Sequence, residues 1–124
     1  MPGTILVVED NEMNMRLMSD LLAYYGHQVL EAANGLQAMM MVHQHPIDLV
    51  LMDMQMPIMN GFECVKMLRA NEKTAGIKIV AVTSFAMDEE KSQILATGVD
   101  EFISKPIDTR EFPKIVENLL ERKK

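Results

Sequence analysis

Residues 49–53 read LVLMD, four consecutive apolar side chains followed directly by Asp53. A strand that is apolar on both faces is typical of a parallel sheet covered by helices on both sides. The segment 62–68, a few residues further on, has the apolar spacing of an amphipathic helix. The stretch therefore predicts a strand–helix unit with Asp53 at the carboxyl end of its strand.

The same alternation recurs along the whole chain. Predicted strands lie at residues 4–8, 29–32, 49–52, 77–82 and 101–104, and predicted helices follow them at 13–25, 36–43, 62–68, 89–96 and 109–120. Gly26 and Gly98 stand where a left-handed residue would close the last turn of a helix. This order predicts one α/β domain over residues 1–124, built on a doubly wound five-stranded parallel sheet.

Composition restricts the possible functions. The 124 residues include 12 Lys and Arg against 18 Asp and Glu, a formal net charge of −6. This balance disfavours binding to nucleic acid or anionic lipid, which needs clustered cations. Cys64 is a lone cysteine, so neither an intramolecular disulfide nor a zinc site is expected, and no apolar run is long enough to span a membrane. We expect a cytoplasmic protein whose His27, His43 and His45 are solvated.

Chemically active side chains follow four of the five predicted strands. They are Glu9 and Asp10 after the first strand, Asp53 after the third, Thr83 after the fourth and Lys105 after the fifth. Ligands of such sheets bind beyond the carboxyl ends of the strands, so these groups converge at one edge. Three carboxylates repel one another at low dielectric, and one ammonium offsets only part of their charge. Magnesium is the expected neutraliser, because it prefers oxygen ligands and needs only one or two carboxylates.

Asp53 is the best placed nucleophile in this group. A carboxylate screened by magnesium and an ammonium can attack phosphorus, because the cations reduce its repulsion of the phosphoryl oxygens. Thr83 could donate a hydrogen bond to one phosphoryl oxygen, and Lys105 could pair with another. The predicted product is an aspartyl phosphate, formed mainly by alignment and charge neutralisation.

Four motifs in order resemble the receiver domain of two-component response regulators. They are VVEDN at 7–11, LMDMQMP at 51–57, AVTSFAM at 81–87 and FISKP at 102–106. The resemblance covers essentially the whole chain and is greatest to single-domain cell-cycle and phosphorelay regulators of the DivK type. It implies the flavodoxin-like (βα)5 receiver fold.

The resemblance also implies a role for each matching residue. Asp53 would be the phosphoacceptor and a magnesium ligand, Asp10 a direct ligand, Glu9 a ligand through water, and Gln55 a ligand through its backbone carbonyl. Manganese could substitute for magnesium. Glu9 stands where Asp is more usual in the family, so its longer side chain could alter the water-mediated contact.

A second set of implied roles concerns the switch. Thr83 would be the switch hydroxyl, Lys105 the phosphate partner with a cis bond to Pro106, and Phe102 an aromatic rotamer switch. Phosphorylation would then reshape the face formed by the fourth helix, the fifth strand and the fifth helix. In the family, the positions of Gln55 and Phe85 tune hydrolysis of the acyl phosphate. The bulky Phe85 predicts slow self-dephosphorylation, because it could shield the path of the attacking water.

The implied partners are a histidine kinase or histidine phosphotransferase as phosphodonor and a downstream protein that reads the switched face. We expect no binding to nucleic acid or membrane, a monomer, and no output domain in this chain. Catalysis would be limited to the protein's own phosphorylation and dephosphorylation, so the chain is not expected to be a metabolic enzyme.

Two rival functions use a similar architecture. A phosphatase or phosphotransferase of the haloacid dehalogenase type needs a second Asp two residues after the nucleophile, where this chain has Gln55, and more length for a substrate cap. A flavodoxin-like cofactor carrier needs a phosphate-binding loop after the first strand, where Glu9, Asp10 and Glu12 would repel a phosphate. Both are less well supported than the signalling function.

Overall fold

The computed structural model describes residues 3–56, 60–84 and 88–121. The strands are β1 Thr4–Val8, β2 Gln28–Ala32, β3 Leu49–Asp53, β4 Lys78–Thr83 and β5 Glu101–Ser104. The helices are α1 Glu12–Tyr24, α2 Gly35–Gln44, α3 Gly61–Ala70, α4 Asp88–Ala96 and α5 Glu111–Glu121. Within these ranges no helix combines the length and apolar character that crossing a membrane requires.

The five strands form one parallel sheet in the order β2-β1-β3-β4-β5. The chain therefore starts near the middle, winds outward to β2, and then crosses back to build β3, β4 and β5. This confirms the predicted doubly wound α/β fold, and it places the change of winding direction between β1 and β3. The register pairs Val8 with Met52 and Asp53 with Val82, so the strands end level with one another.

Helices cover both faces of the sheet, and successive strand residues point to opposite layers. Leu6 and Val50 face the layer that contains α2, α3 and α4, whereas Val7 and Leu51 face the layer that contains α1 and α5. All four side chains are fully buried. Full burial of such a side chain typically contributes about 1.5–3 kcal/mol, so both layers stabilise the strands that position the site.

Asparagine begins three of the helices. Asn11, Asn34 and Asn60 are the N-caps of α1, α2 and α3, and each side chain accepts a hydrogen bond from the backbone N–H three residues later. Such a cap contributes about 1 kcal/mol by satisfying a backbone donor that the helix leaves unpaired. Gly26 and Gly98 have φ angles of 89° and 102°, so both predicted left-handed residues are confirmed.

The buried face of α1 differs from the face that the apolar spacing indicated. Met13 is 81% exposed and Tyr25 is 47% exposed, whereas Met18 and Leu22 are buried against the sheet. An apolar spacing of four alone does not determine which of several apolar stripes faces the core, because α1 is apolar on more than one side.

The prediction that His27 is solvated was wrong. Its side chain is buried between β1 and α5, where Nδ1 accepts a hydrogen bond from the Gly3 N–H at 3.1 Å. Nε2 lies 3.1 Å from Glu117 Oε1. The residue therefore packs between the start of β1 and α5. His43 and His45 are exposed, as predicted.

Arg69 connects several segments at the amino edge of the sheet. Its Nε donates to Gly98 O at 2.8 Å, and Nη1 donates to Ala75 O and Ile77 O at 2.7 and 2.6 Å. Nη2 forms an ion pair of 2.9 Å with Asp100 Oδ2. The guanidinium therefore joins α3 to the chain before β4 and the chain before β5.

Candidate functional site

Three carboxylates meet at the carboxyl edge of the sheet, as their positions after the first and third predicted strands indicated. One oxygen each of Glu9, Asp10 and Asp53 lies within 4.8 Å of the other two. Glu9 and Asp53 are only 2% and 1% exposed, whereas Asp10 is exposed. The cluster therefore has a buried floor and one side that is open to solvent.

Lys105 reaches this cluster from the end of β5. Its Nζ lies 3.3 Å from Glu9 Oε1 and 3.4 Å from Asp53 Oδ2. The Lys105 backbone N–H donates to Thr83 O at 2.8 Å, which holds it beside the end of β4. The peptide bond from Lys105 to Pro106 is cis. When all four side chains are ionised, three negative charges face one positive charge, which leaves a net charge of −2.

Glu9 shows the electrostatic cost of this arrangement. Burial raises its pKa to about 7, and the negative charge of Asp53 adds to the shift. The Asn11 backbone N–H donates to Glu9 Oε2 at 3.1 Å and acts in the opposite direction. Within the described ranges, Glu9 Oε1 has its ion pair with Lys105 Nζ at 3.3 Å but no contact with the geometry of a hydrogen bond. Because burial and the charge of Asp53 both disfavour the ionised form of Glu9, a cation bound beside its carboxylate would stabilise that form.

Hydrogen bonds and close packing fix Asp53 and the residue after it beside β4 and α3. Gln55 N–H donates to Asp53 Oδ1 at 3.0 Å, and the Met54 N–H donates to Val82 O at 2.9 Å. A Cβ at Gly61 would lie 2.6 Å from the Asp53 carbonyl oxygen and 2.7 Å from Met54 Cα. Only glycine therefore lets α3 begin this close to the acidic strand end.

The side chain of Gln55 crosses from the end of β3 to the end of β4. Its Nε2 donates to Thr83 Oγ1 at 2.6 Å, and its Oε1 accepts from the Ser84 N–H at 3.1 Å. Thr83 is fully buried. The sequence predicted that Thr83 follows the fourth predicted strand near the carboxylates, but it did not predict this side-chain bridge from Gln55.

Phe102 lies on β5, half-buried against the layer that contains α2, α3 and α4. Lys91 Nζ of α4 lies 5.6 Å from the centre of its ring, within the range of a cation–π contact. The ring therefore contacts both the core and α4.

The donor set fits a small, hard divalent cation. The three carboxylates offer oxygen ligands of the kind that magnesium prefers, on a side that still admits water. The predicted ligand role of the Gln55 backbone carbonyl stays a prediction. Phe85, which we associated with slow dephosphorylation, lies outside the described residues.

An open cavity of about 540 Å³ adjoins the carboxylates, and Glu9, Arg16 and Glu31 contribute to its lining. Sequence reasoning missed Arg16 and Glu31. Glu31 is the penultimate residue of β2. The rule that ligands bind at strand ends identifies Glu31 only when it is extended to the residue before the last one of each strand.

Proteins of known identity match this chain over nearly its whole length. The chain is 38% identical to the polar-differentiation response regulator DivK of Brucella anthropi over 120 residues, which covers 97% of this chain and 98% of the relative. DivK of Brucella ovis is 37% identical over the same length.

Solved structures show the same fold. The chemotaxis protein CheY4 of Vibrio cholerae matches with a TM-score of 0.89 and 26% identity, covering 96% of this chain and 99% of that one. The receiver domain of the sensor histidine kinase PA1611 of Pseudomonas aeruginosa, solved with magnesium in its active-site cleft, matches with a TM-score of 0.90 and 27% identity over 98% and 100%. The sequence profile described as "Response regulator receiver domain" matches residues 5–117, and the chain therefore belongs to the receiver domain family of response regulators.

Proposed function

We propose that Asp53 accepts a phosphoryl group from a phosphohistidine protein in the presence of magnesium. The observation that carries the proposal is the placement of Lys105 within 3.4 Å of both Glu9 and Asp53, in a cluster whose carboxylates lie within 4.8 Å. Asp53 is the member best suited to attack, because its backbone is fixed while its carboxylate faces the cluster. The natural donor is a histidine kinase or histidine phosphotransferase, as in the family to which the chain belongs.

The chemistry needs little beyond alignment. A carboxylate oxygen of Asp53 forms a bond to phosphorus while the phosphorus–nitrogen bond of the donor breaks, and the bonding electron pair leaves with the imidazole nitrogen. Lys105 stabilises negative charge on the phosphoryl oxygens, and Thr83 donates a hydrogen bond to one of them. Glu9, Asp10 and Asp53 would hold magnesium, which supplies charge neutralisation when bound.

The output is a change of shape. We propose that Thr83 and Phe102 carry it to the face formed by α4, β5 and α5, where a downstream protein binds in preference to one state. Manganese can replace magnesium. The protein acts in the cytoplasm as a monomer, binds neither nucleic acid nor membrane, and loses its phosphoryl group slowly. Its catalysis is limited to these changes at its own Asp53.

Intact mass after incubation with acetyl phosphate and magnesium tests the acceptor. We expect the parent protein to gain one phosphoryl group, and we expect Asp53→Asn to gain none, because the amide is a far weaker nucleophile. Asp20→Asn, which changes an exposed aspartate on α1, should behave as the parent. Removing magnesium with a chelator should slow phosphorylation of the parent protein at least about tenfold. A phosphoryl group on Asp53→Asn would place the acceptor elsewhere.

A further inference from the structure

Gln55 contacts both the proposed acceptor and the proposed switch hydroxyl. Its backbone N–H donates to Asp53 Oδ1 at 3.0 Å, while its side chain donates to Thr83 Oγ1 at 2.6 Å. The same side chain accepts from the Ser84 N–H at 3.1 Å. One residue therefore links the end of β3 to two successive residues at the end of β4.

The orientation of this amide follows from its partners. The Ser84 N–H can only donate, so the oxygen of the Gln55 amide must face it. The NH2 group then faces Thr83, and Thr83 Oγ1 is the acceptor. The bridge has two contacts with one allowed orientation, and its Thr83 end is fully buried. A hydrogen bond in such a setting is stronger than one exposed to water.

We propose that Gln55 is a positioning residue that holds the Thr83 hydroxyl in its resting place. A movement of the hydroxyl from this place toward an incoming phosphoryl oxygen would lengthen or break the hydrogen bond that Gln55 Nε2 donates to it, so the bridge opposes the switched state. This inference rests on the proposed function, since it assigns a cost to the step in which Thr83 meets the phosphoryl group. Removal of the side-chain amide favours that step.

Beryllium fluoride with magnesium is a suitable probe, because it binds an aspartate carboxylate as a mimic of a phosphoryl group. In a titration followed by the NMR signals of the Thr83 methyl group and the Ser84 amide, we expect Gln55→Met to bind about three- to tenfold more tightly than the parent. This is the range expected when one or two ordinary hydrogen bonds no longer oppose a transition. Gln44→Met is the matched control, because Gln44 is an exposed glutamine at the end of α2. It should stay within about twofold of the parent.

A double-mutant cycle separates the bridge from a general loosening of the loop. In a Thr83→Ala background the hydroxyl is absent, so Gln55→Met should change the affinity by less than about twofold. A retained gain in that background would overturn the proposal, as would unchanged or weaker binding by Gln55→Met alone. If the parent binds no beryllium fluoride while Asp53→Asn behaves the same, both this inference and the proposed function are wrong. Equal binding by the parent and Gln55→Met overturns this inference alone.

Discussion

The raised pKa of Glu9 shows the electrostatic cost of burying carboxylates close together. Its carboxylate is buried beside Asp53, and burial together with that charge raises its pKa to about 7 from an ordinary value of 4.5. The neighbouring ammonium of Lys105 lowers the pKa but does not cancel the shift. Near neutral pH, the folded protein therefore binds a proton at Glu9 more readily than the unfolded chain does.

This difference predicts how stability depends on pH. Between pH 4.5 and about 7 the folded state holds more protons at Glu9, so the free energy of unfolding falls as pH rises. The contribution of Glu9 is complete below pH 4.5 and is lost as pH passes about 7. Glu9→Gln removes the titration, so its stability relative to the parent should rise by about 2 kcal/mol between pH 5 and pH 8 without divalent ions.

Urea unfolding at several pH values in the presence of a chelator measures this effect. Glu12→Gln is the matched control, because Glu12 is exposed at the start of α1, and its curve should parallel that of the parent. At pH 8 Glu9 is mostly ionised, so the cluster carries more negative charge than at pH 5. Magnesium should stabilise the parent at pH 8, because an ion bound to the folded state neutralises part of that charge. Parallel pH curves for Glu9→Gln and the parent would show that Glu9 does not titrate in this range.

Single residues also show what the sequence could predict about the site. Glu9, Asp53 and Lys105 were found because strand ends in a parallel sheet share an edge, which is a rule about backbone direction. The bridge of Gln55 and the burial of His27 were not found. Both depend on where a long side chain lies in three dimensions, and the periodicity of a sequence does not predict that position.

Among the elements, α3 depends on a contact at its carboxyl end. Arg69 makes three hydrogen bonds to carbonyl oxygens and an ion pair with Asp100, which also accepts the Ile79 N–H at 2.8 Å. These bonds connect α3 to the starts of β4 and β5. The carbonyl oxygens are fixed by the backbone, so loss of the guanidinium leaves them with no replacement donor of the same geometry.

Arg69→Met should therefore lower the free energy of unfolding by about 2–3 kcal/mol, because several charge-assisted hydrogen bonds are lost together. Arg69→Lys should recover only a small part, since an ammonium cannot donate in the same fork. Denaturant unfolding monitored by circular dichroism measures both. Lys66→Met, a change on the exposed side of the same helix, should shift stability by less than about 0.5 kcal/mol. A similar loss in Lys66→Met and Arg69→Met would contradict this account.

Element boundaries were predictable to within a few residues, but the buried face of α1 was not. Continuous apolar strands and asparagine or glycine at helix ends leave strong local signals. The exposure of Met13 reflects a helix that carries apolar side chains on several sides, and the sheet surface decides which of them it buries.

For the molecule as a whole, Cys64 reports on cooperative unfolding. It lies fully buried in α3, and burial raises the pKa of its thiol to about 11. At pH 8 the native protein therefore has very little reactive thiolate, and a thiol reagent reaches the sulfur only when the core opens.

We expect the native protein at pH 8 to react with a disulfide reagent at least about a hundredfold more slowly than the same protein in concentrated urea. Magnesium should slow the native reaction further, because an ion bound only by the folded state reduces the population of open molecules. The absorbance of the released thiolate gives both rates. A native rate equal to the rate in urea would contradict the burial of Cys64 in the folded protein.

The close approach of Gly61 to the backbone of Asp53 has a consequence for the direction of any structural response. No space for even one additional carbon exists between the start of α3 and the end of β3. The backbone of Asp53 therefore cannot move toward α3, and a rearrangement around this residue is easier at the neighbouring ends of β4 and β5, where Thr83 and Lys105 lie. The absence of a Cβ at Gly61 thus allows a packing so close that it restricts the directions in which this end of the sheet can rearrange.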